Sequence, residues 1–327
     1  MYKLKTPAVS FEPAGFFAPS LSFVHTIKKE ATAFEFRHKR VNTMATFQNQ
    51  ATLSYNGLST TSNIAVGELL EELSVTKAAV YDRYEAGDTV AFVVSLVNAG
   101  ATDVTDVTVS DNLGQYAFGA TDLVPLEYVP NTVRYYQNGV LQPTPAVVAG
   151  PPMQVTGLTV PAGGNAMVVY EAAVNNFAPL DVNGSVVNTA SVSGVGIAAP
   201  IEATATILPD SRPQLTISKS LSPTTVTENG QITYTFVIQN SGNVATDAGD
   251  NVIVRDTFNP ILDPIAVTID GVGRNAGNDY TYAPATGVFE TGPTAFTVPA
   301  ATYTQDPTTG EWITNPGTTT ITVTGTV

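Results

Sequence analysis

The 327-residue sequence has no cysteine and only two histidines, His25 and His38. The first absence excludes disulfides, thiolate nucleophiles and sulfur-ligated metals. The second confines imidazole to the start of the chain, so histidine-based triads, zinc sites and acid–base pairs have no residues elsewhere to use. Positive charge is also scarce: 14 Lys and Arg stand against 28 Asp and Glu, a net charge of −14. Such a surface repels phosphate and makes nucleic acid a poor partner. No apolar run reaches the ~18 residues of a membrane-crossing helix. What remains is rich in valine, threonine, alanine and glycine, with 22 prolines. That is the composition of an all-β chain rather than a helix bundle.

The charge is unevenly placed. Residues 1–43 carry Lys3, Lys5, Lys28, Lys29, Arg37, Lys39 and Arg40 against Glu12, Glu30 and Glu35. The rest of the chain is strongly acidic. The apolar stretch Phe16 to Ile27 is interrupted by Pro19, Ser20, Ser22 and His25, which departs from a secretion signal. Residues 1–43 are therefore read as a disordered arm, or as an extension upstream of a natural start at Met44. In the second case the chain has no export signal, and release by lysis or placement on a spore surface becomes the expected route.

An internal repeat organises the remainder. Leu73-Ser-Val-Thr-Lys77 matches Leu215-Thr-Ile-Ser-Lys219. Asn98-Ala-Gly100 and Asn240-Ser-Gly242 follow at equal distances, then Val107-Thr-Val-Ser-Asp111-Asn-Leu113 and Val252-Ile-Val-Arg-Asp256-Thr-Phe258. Thr89 to Val97 and Gln231 to Gln239 alternate apolar and polar residues, the period of a half-buried strand. The Asn-x-Gly pairs read as turns that exploit positive φ. Short strands and turn residues without helical periodicity predict two tandem immunoglobulin-like β-sandwiches, over 70–208 and 209–327.

The second sandwich is expected to lack its last strands. Gln48-Asn49-Gln-Ala-Thr-Leu-Ser54 resembles Val187-Asn188-Thr-Ala-Ser-Val-Ser193, which lies near the end of the first repeat. Each is followed by a second strand-like stretch, Thr61 to Leu69 and Ile201 to Leu208. Thr320 to Val327 aligns with Ala166 to Ala173, after which only the first repeat continues. Residues 44–69 thus read as a spare closing hairpin at the front of a chain whose second sandwich has none.

Lys77 and Lys219 are the only lysines from residue 44 onward, and both occupy the same repeat position. Alternation puts Val75, Lys77 and Ala79 on one face of their strand, and Lys219 on the same face as Ile217. A buried ammonium must be paired or neutralised. A self-formed Lys–Asn isopeptide bond meets that requirement. Desolvation yields a neutral nucleophilic amine, and a buried aspartic acid polarises the carboxamide. The fold holds the two in contact, and ammonia leaves. The expected intramolecular set is Lys77, Asn188 and the catalytic acid Asp111, with Glu171 the runner-up acid. An ordinary Lys–Asp salt bridge is the simpler alternative.

These motifs resemble the bacterial surface repeat family called domain of unknown function 11. Glu85-Ala-Gly-Asp-Thr-Val90, Asn98 to Gly100, Asp111 to Leu113 and Asn188 to Ala190 follow its pattern, and Lys219 to Phe258 follows it without the closing Asn-x-Ala. The Lys–Asp–Asn order is also similar to that of the cross-linking domains of Gram-positive pilins and collagen-type adhesins. The resemblance implies cell-surface stalks and fibres and identifies no ligand.

An unfinished sandwich exposes a sheet edge and an apolar cleft. A domain of about 140 residues spans roughly 40 Å, whereas the connector Glu68 to Ser74 reaches at most about 25 Å. The expected donor is therefore the hairpin of a second copy, added head to tail. Lys219, Asn49 and the acid Asp256 then form the intermolecular cross-linking set. The rival expectation is a fragment of a tandem-repeat adhesin or stalk. Turnover catalysis has no candidate nucleophile–base pair. Asp103, Asp106, Asp247 and Asp250 read as solvated loops rather than a calcium site. Trp312, Tyr135, Tyr136, Tyr280, Tyr282 and Tyr303 read as packing rather than a sugar platform. No cofactor, metal or membrane span is expected, and the partner is the chain itself, outside the cell or on its surface.

Overall fold

A computed structural model describes residues 45–55, 58–69 and 72–327. The expected N-terminal arm, residues 1–43, lies outside the described residues.

The chain is all-β, as its composition and periodicity predict. Strands β1 (Ala45–Asn49), β2 (Thr52–Tyr55), β3 (Leu58–Thr61) and β4 (Ala65–Leu69) form one long hairpin. In it β1 pairs β4 and β2 pairs β3, both antiparallel.

The first sandwich comprises β5 (Leu73–Ala79), β6 (Arg83–Tyr84), β7 (Thr89–Asn98), β8 (Val104–Asp111), β9 (Tyr116–Phe118), β10 (Thr121–Leu123), β11 (Leu126–Tyr128), β12 (Arg134–Gln137), β13 (Val140–Leu141), β14 (Ala146–Val148), β15 (Met153–Val160), β16 (Asn165–Val174), β17 (Val186–Ser193) and β18 (Ile201–Pro209). One sheet runs β13-β12-β16-β7-β5, with β11 also on β16, and the other runs β14-β15-β8-β17-β18-β6. Their inner faces share one apolar core that includes Phe92, Val94, Val109, Val155, Val168 and Ile207. The alternation in the sequence is the cause: along β7 every second residue is buried, and β17 and β16 follow the same period.

The second sandwich comprises β19 (Leu215–Ser222), β20 (Gln231–Asn240), β21 (Arg255–Thr257), β22 (Ile265–Ile269), β23 (Val272–Gly273), β24 (Tyr280–Ala283), β25 (Val288–Thr291), β26 (Thr302–Gln305), β27 (Trp312–Asn315) and β28 (Gly317–Thr326). Its main sheet runs β19-β20-β28-β22-β23, opposed by the short sheet β21-β25-β24. The β26–β27 hairpin reaches the first sandwich, where Trp312 N donates to Asn176 O at 2.8 Å and Gln305 Nε2 donates to Tyr116 Oη at 2.9 Å.

Three expectations need correction. The strand expected over Val252 to Phe258 shrinks to Arg255–Thr257. Its counterpart β8 lies between β15 and β17, whereas β21 has only β25 beside it, so a longer strand has no second ladder to hold it. The alignment of β28 with β16 moves by one residue. Phe92 faces Tyr170 and Tyr234 faces Val323, so Val323 rather than Thr324 occupies the place of Tyr170. Finally, the Asn-x-Gly turns do not depend on positive φ at Asn98 or Asn240. Each asparagine side chain bonds the backbone instead: Oδ1 accepts from Gly100 N and from Gly242 N, both at 2.9 Å, and Nδ2 donates to nearby carbonyls. Gly242 is needed there for close approach, because a Cβ at that position would lie 2.1 Å from Arg212 O.

Candidate functional site

The first site lies between the two sheets of the first sandwich. Lys77 comes from β5 and Tyr170 from β16, either side of β7 in one sheet. Asp111 ends β8 and Asn188 lies on β17 in the other. The alternation read from the sequence sends Lys77 inward, opposite Val94, while Ser74, Thr76 and Ala78 face solvent. Tyr170 points inward in the run Ala166, Val168, Tyr170, Ala172 by the same rule. Val90 to Leu96 and Val107 to Val109 seal the space around them.

All four polar side chains are buried: Lys77 is 8% exposed, and Asp111, Asn188 and Tyr170 are 0%. Lys77 Nζ donates to Asp111 Oδ2 at 2.6 Å. Tyr170 Oη donates to the same oxygen at 2.5 Å and accepts from Asn188 Nδ2 at 3.1 Å. Asp111 Oδ1 accepts from Leu113 N at 3.0 Å, which fixes the carboxylate. Asn188 Oδ1 is enclosed without any hydrogen-bond partner. Leaving such an oxygen unpaired costs about 1–3 kcal/mol.

Burial dominates the electrostatics. It lowers the Lys77 amine from its ordinary 10.5 to about 8, against the opposing pull of Asp111. Burial, reinforced by the Asp111 charge, pushes the Tyr170 hydroxyl well above its ordinary value, so it keeps its proton. Phe92 stacks on Tyr170 with ring centroids 5.6 Å apart and lies 5.2 Å from Lys77 Nζ. The arrangement presents a readily deprotonated amine, a fixed carboxylate and a carboxamide in one buried cluster.

The structure places Lys77, Asp111 and Asn188 in one buried cluster, but the expected contact between Asp111 and the Asn188 carboxamide is not made: Asn188 reaches Asp111 only through Tyr170. Glu171, the runner-up acid, is exposed on the opposite face of β16. Tyr170 was missed by sequence reasoning. The available signal was a tyrosine at an inward position among small apolar residues, where its hydroxyl must find a partner.

The second set is only half assembled. Lys219 Nζ forms an ion pair with Asp256 Oδ2, although not in the orientation of a hydrogen bond. It lies 4.5 Å from the ring centroid of Tyr234, 5.6 Å from Phe236 and 5.7 Å from Phe258. The aromatic floor of the chamber is present. The expected burial of Lys219 is not met: its side chain is 40% exposed, and every residue of β19 is exposed. Nothing among the described residues occupies the place that β17 and β18 take in the first sandwich. Asn49 is exposed on the hairpin and is not brought to Lys219.

The hairpin matches β17 and β18 at its asparagine, but its ladder breaks after Asn49 and resumes one residue out of register at Thr52–Thr61. Asn49 faces Ala65 across its ladder, and Asn188 faces Ala205. The acidic loops serve as local scaffolding: Asp103 Oδ1 accepts from Ala162 N at 2.8 Å, and Asp247 and Asp250 cap a short 3₁₀ turn. Tyr135 and Tyr280 are buried in their sandwiches.

No protein-family model matches the chain, and no curated protein matches its sequence. The resemblance to the domain of unknown function 11 therefore rests on the motifs quoted above. Several solved structures are similar at a loose level. The pilus backbone protein RrgB of Streptococcus pneumoniae matches 75% of this chain and 55% of its own, with 10% identity and a TM-score of 0.32. This chain thus spans about half of that protein's length. The major pilin subunit BcpA of Bacillus cereus matches 84% of this chain and 73% of its own, with 11% identity and a TM-score of 0.32. The 35 kDa C-terminal fragment of the major pilin GBS80 of Streptococcus agalactiae matches 76% and 79%, with 10% identity and a TM-score of 0.31. Similarity this loose establishes neither family nor activity.

Proposed function

We propose that the chain is a structural subunit of an extracellular or cell-surface filament, hardened by self-formed Lys–Asn isopeptide bonds and extended head to tail by donor-strand addition. The observation that carries this reading is the orphaned Asn188 Oδ1, enclosed with Lys77, Asp111 and Tyr170. An ordinary buried salt bridge accounts for Lys77 and Asp111 alone, but not for an adjacent unsatisfied carboxamide.

The proposed reaction starts with transfer of a proton from Lys77 Nζ to Asp111 Oδ2. The neutral amine attacks Asn188 Cγ, a Nζ–Cγ bond forms, the Cγ–Nδ2 bond breaks and ammonia leaves. Asp111 is regenerated, and an uncharged amide replaces a buried ion pair. The bond joins β5 of one sheet to β17 of the other and closes a loop of roughly 110 residues, which by analogy with a disulfide stabilises by about 4–5 kcal/mol. No turnover follows, so the chain acts once on itself.

The second site supports growth of the filament. Strand β19 is exposed along its length, with Ile217 57% exposed. The hairpin carries Asn49, Ala51 and Leu53 in the same alternation as Asn188, Ala190 and Val192. We infer that the hairpin of a second copy docks on the open edge of β21, as β17 pairs with β8, covers β19 and completes Lys219, Asp256 and Asn49. The contact repeats without closing, so it builds an open fibre.

The test is direct. Purified protein should run as a boiling-resistant ladder on denaturing gels, abolished by Lys219→Ala or Asn49→Ala. Monomer alone would remove the covalent joint. The intact mass should lie about 17 Da, one ammonia, below the sequence mass for each bond formed; full mass would remove the bond altogether. The uncovered face of β19 and the open edge of β21 equally suit a closing hairpin supplied in tandem, as in a multi-module stalk. That reading predicts no ladder and no threads under the electron microscope.

A further inference from the structure

We propose that Tyr170 is a working member of the Lys77–Asn188 site: its hydroxyl relays a proton from Asp111 to the departing Asn188 nitrogen. This inference rests on the isopeptide reading above.

An amide nitrogen is a poor leaving group and departs as ammonia only if it gains a proton. Asp111 has just taken one from Lys77, yet no hydrogen bond joins Asp111 to Asn188 Nδ2. The two are joined through one atom, Tyr170 Oη, which donates to Asp111 Oδ2 at 2.5 Å and accepts from Asn188 Nδ2 at 3.1 Å. Lys77 Nζ and Asn188 Nδ2 are thus the two ends of a single hydrogen-bonded chain.

In the resting state that chain is polarised toward Asp111. Once Lys77 has protonated Asp111 and attacked, the tetrahedral Cγ gives Nδ2 a lone pair that the planar amide lacked. The chain then reverses. Asp111 Oδ2 gives its proton to Tyr170 Oη, and Tyr170 gives its own to Nδ2. The Cγ–Nδ2 bond breaks, ammonia leaves and the carbonyl reforms. Asp111 takes a second proton from Nζ, which keeps one hydrogen as an amide. Of the three protons on the Lys77 ammonium, one remains on the amide, one leaves with ammonia and one stays on Asp111 until it passes to ammonia as ammonium. The phenol ends as it began.

The surroundings suit a relay better than a spacer. Stacking on Phe92 at an interplanar angle of 23° fixes the ring without using the hydroxyl, so the Oη is spared for the two polar contacts.

The experiment follows bond formation during cell-free synthesis, with samples quenched in acid denaturant and read by intact mass. Wild type, Tyr170→Phe and full chain with fluorotyrosine at position 170 are compared. Wild type should lose about 17 Da soon after folding, and Tyr170→Phe should do so about a hundredfold more slowly. Fluorination preserves shape but makes the phenol more acidic, so the rate should shift severalfold. A Tyr170→Phe chain that bonds at the wild-type rate overturns the relay, as does an unchanged rate with fluorotyrosine. Limited proteolysis reports whether Tyr170→Phe folds; if it does not, the fluorotyrosine arm decides. A wild-type chain that keeps its full mass marks failure of the isopeptide reading itself, a distinct result.

Discussion

Lys77 and Lys219 occupy the same place in two sandwiches, yet the side chain of the first is wholly enclosed while that of the second is 40% exposed. Their ladders match: Lys77 faces Val94, and Lys219 faces Phe236, its repeat equivalent. Their acids match too, since each ammonium meets an aspartate carboxylate. What differs is the cover. In the first sandwich the β17–β18 hairpin supplies both the apolar lid and Asn188. Among the described residues the second has an aromatic floor and an acid but neither lid nor amide beside Lys219, and the difference in burial follows from that difference in cover.

If a second copy supplies that lid, a charge on either contact surface should block assembly without touching the inner bond. Leu53 and Ile217 are 61% and 57% exposed, whereas Val192, the counterpart of Leu53, is fully buried. Burying such a side chain is worth about 1.5–3 kcal/mol. Leu53→Asp or Ile217→Asp should therefore weaken head-to-tail association by roughly ten- to a hundredfold. Sedimentation velocity reads the association, and the mass deficit from the Lys77–Asn188 bond should persist in both variants.

If the isopeptide bond forms, removing either partner of the inner ion pair should abolish it, and the two losses should differ. Lys77→Met deletes the charge and keeps an apolar stem; its cost is chiefly the proposed cross-link, about 4–5 kcal/mol. Asp111→Asn strands an ammonium in the core, a further penalty of about 3–5 kcal/mol. Both proteins should show full mass, with the Asp111→Asn denaturation midpoint clearly the lower. Equal midpoints would mean that Lys77 escapes to solvent.

The lowered Lys77 amine gives the bond-free protein a pH signature. In Asn188→Ala, Lys77 titrates near 8 when folded and near 10.5 when unfolded. Between those values the unfolded chain holds more protons, so stability rises with pH. The rise should begin near pH 8 and be visible before tyrosines ionise around pH 10. If the wild type carries the proposed bond, its Lys77 is an amide and the rise should vanish. Urea midpoints at pH 7, 8 and 9 make the comparison; parallel curves would show that Lys77 still titrates in the wild type.

Much of this arrangement was legible in the sequence because strand parity is a strong rule. Lys77, Asp111 and Asn188 could be placed on inner faces by counting in twos from valines. Only the fold could show that β5 and β8 bring Lys77 and Asp111 into direct contact, and that Asn188 on β17 joins them through Tyr170. Tyr170 escaped because tyrosines are common in sheets and its partner lies 59 residues away. The one-residue error in aligning β28 with β16 arose because both segments alternate over their whole length, and nothing local fixes which residue faces which. The shortened β21 was invisible for a related reason: Val252 to Phe258 has a strand pattern, but a strand needs neighbours, and local sequence does not count them.

That corrected register bears on the proposed joint between subunits. Val323 stands where the first sandwich has Tyr170, and Tyr234 stands where it has Phe92. The second site has its phenol on the neighbouring strand, with the ring stacked on Phe258 at 4.8 Å. If a hydroxyl at the Tyr170 position speeds departure of ammonia, the joint should close more slowly than the inner bond. Mass spectra taken early in assembly should then show single-deficit monomers before any ladder forms. Tyr234→Phe with Val323→Tyr moves the phenol to the working strand and adds one ring to the chamber at the buried Val323 position. The exchanged protein should form its ladder several-fold faster, while its inner bond forms at the wild-type rate. A ladder that forms no faster, in a variant whose fold is intact by circular dichroism, would show that the two sites do not share a proton path.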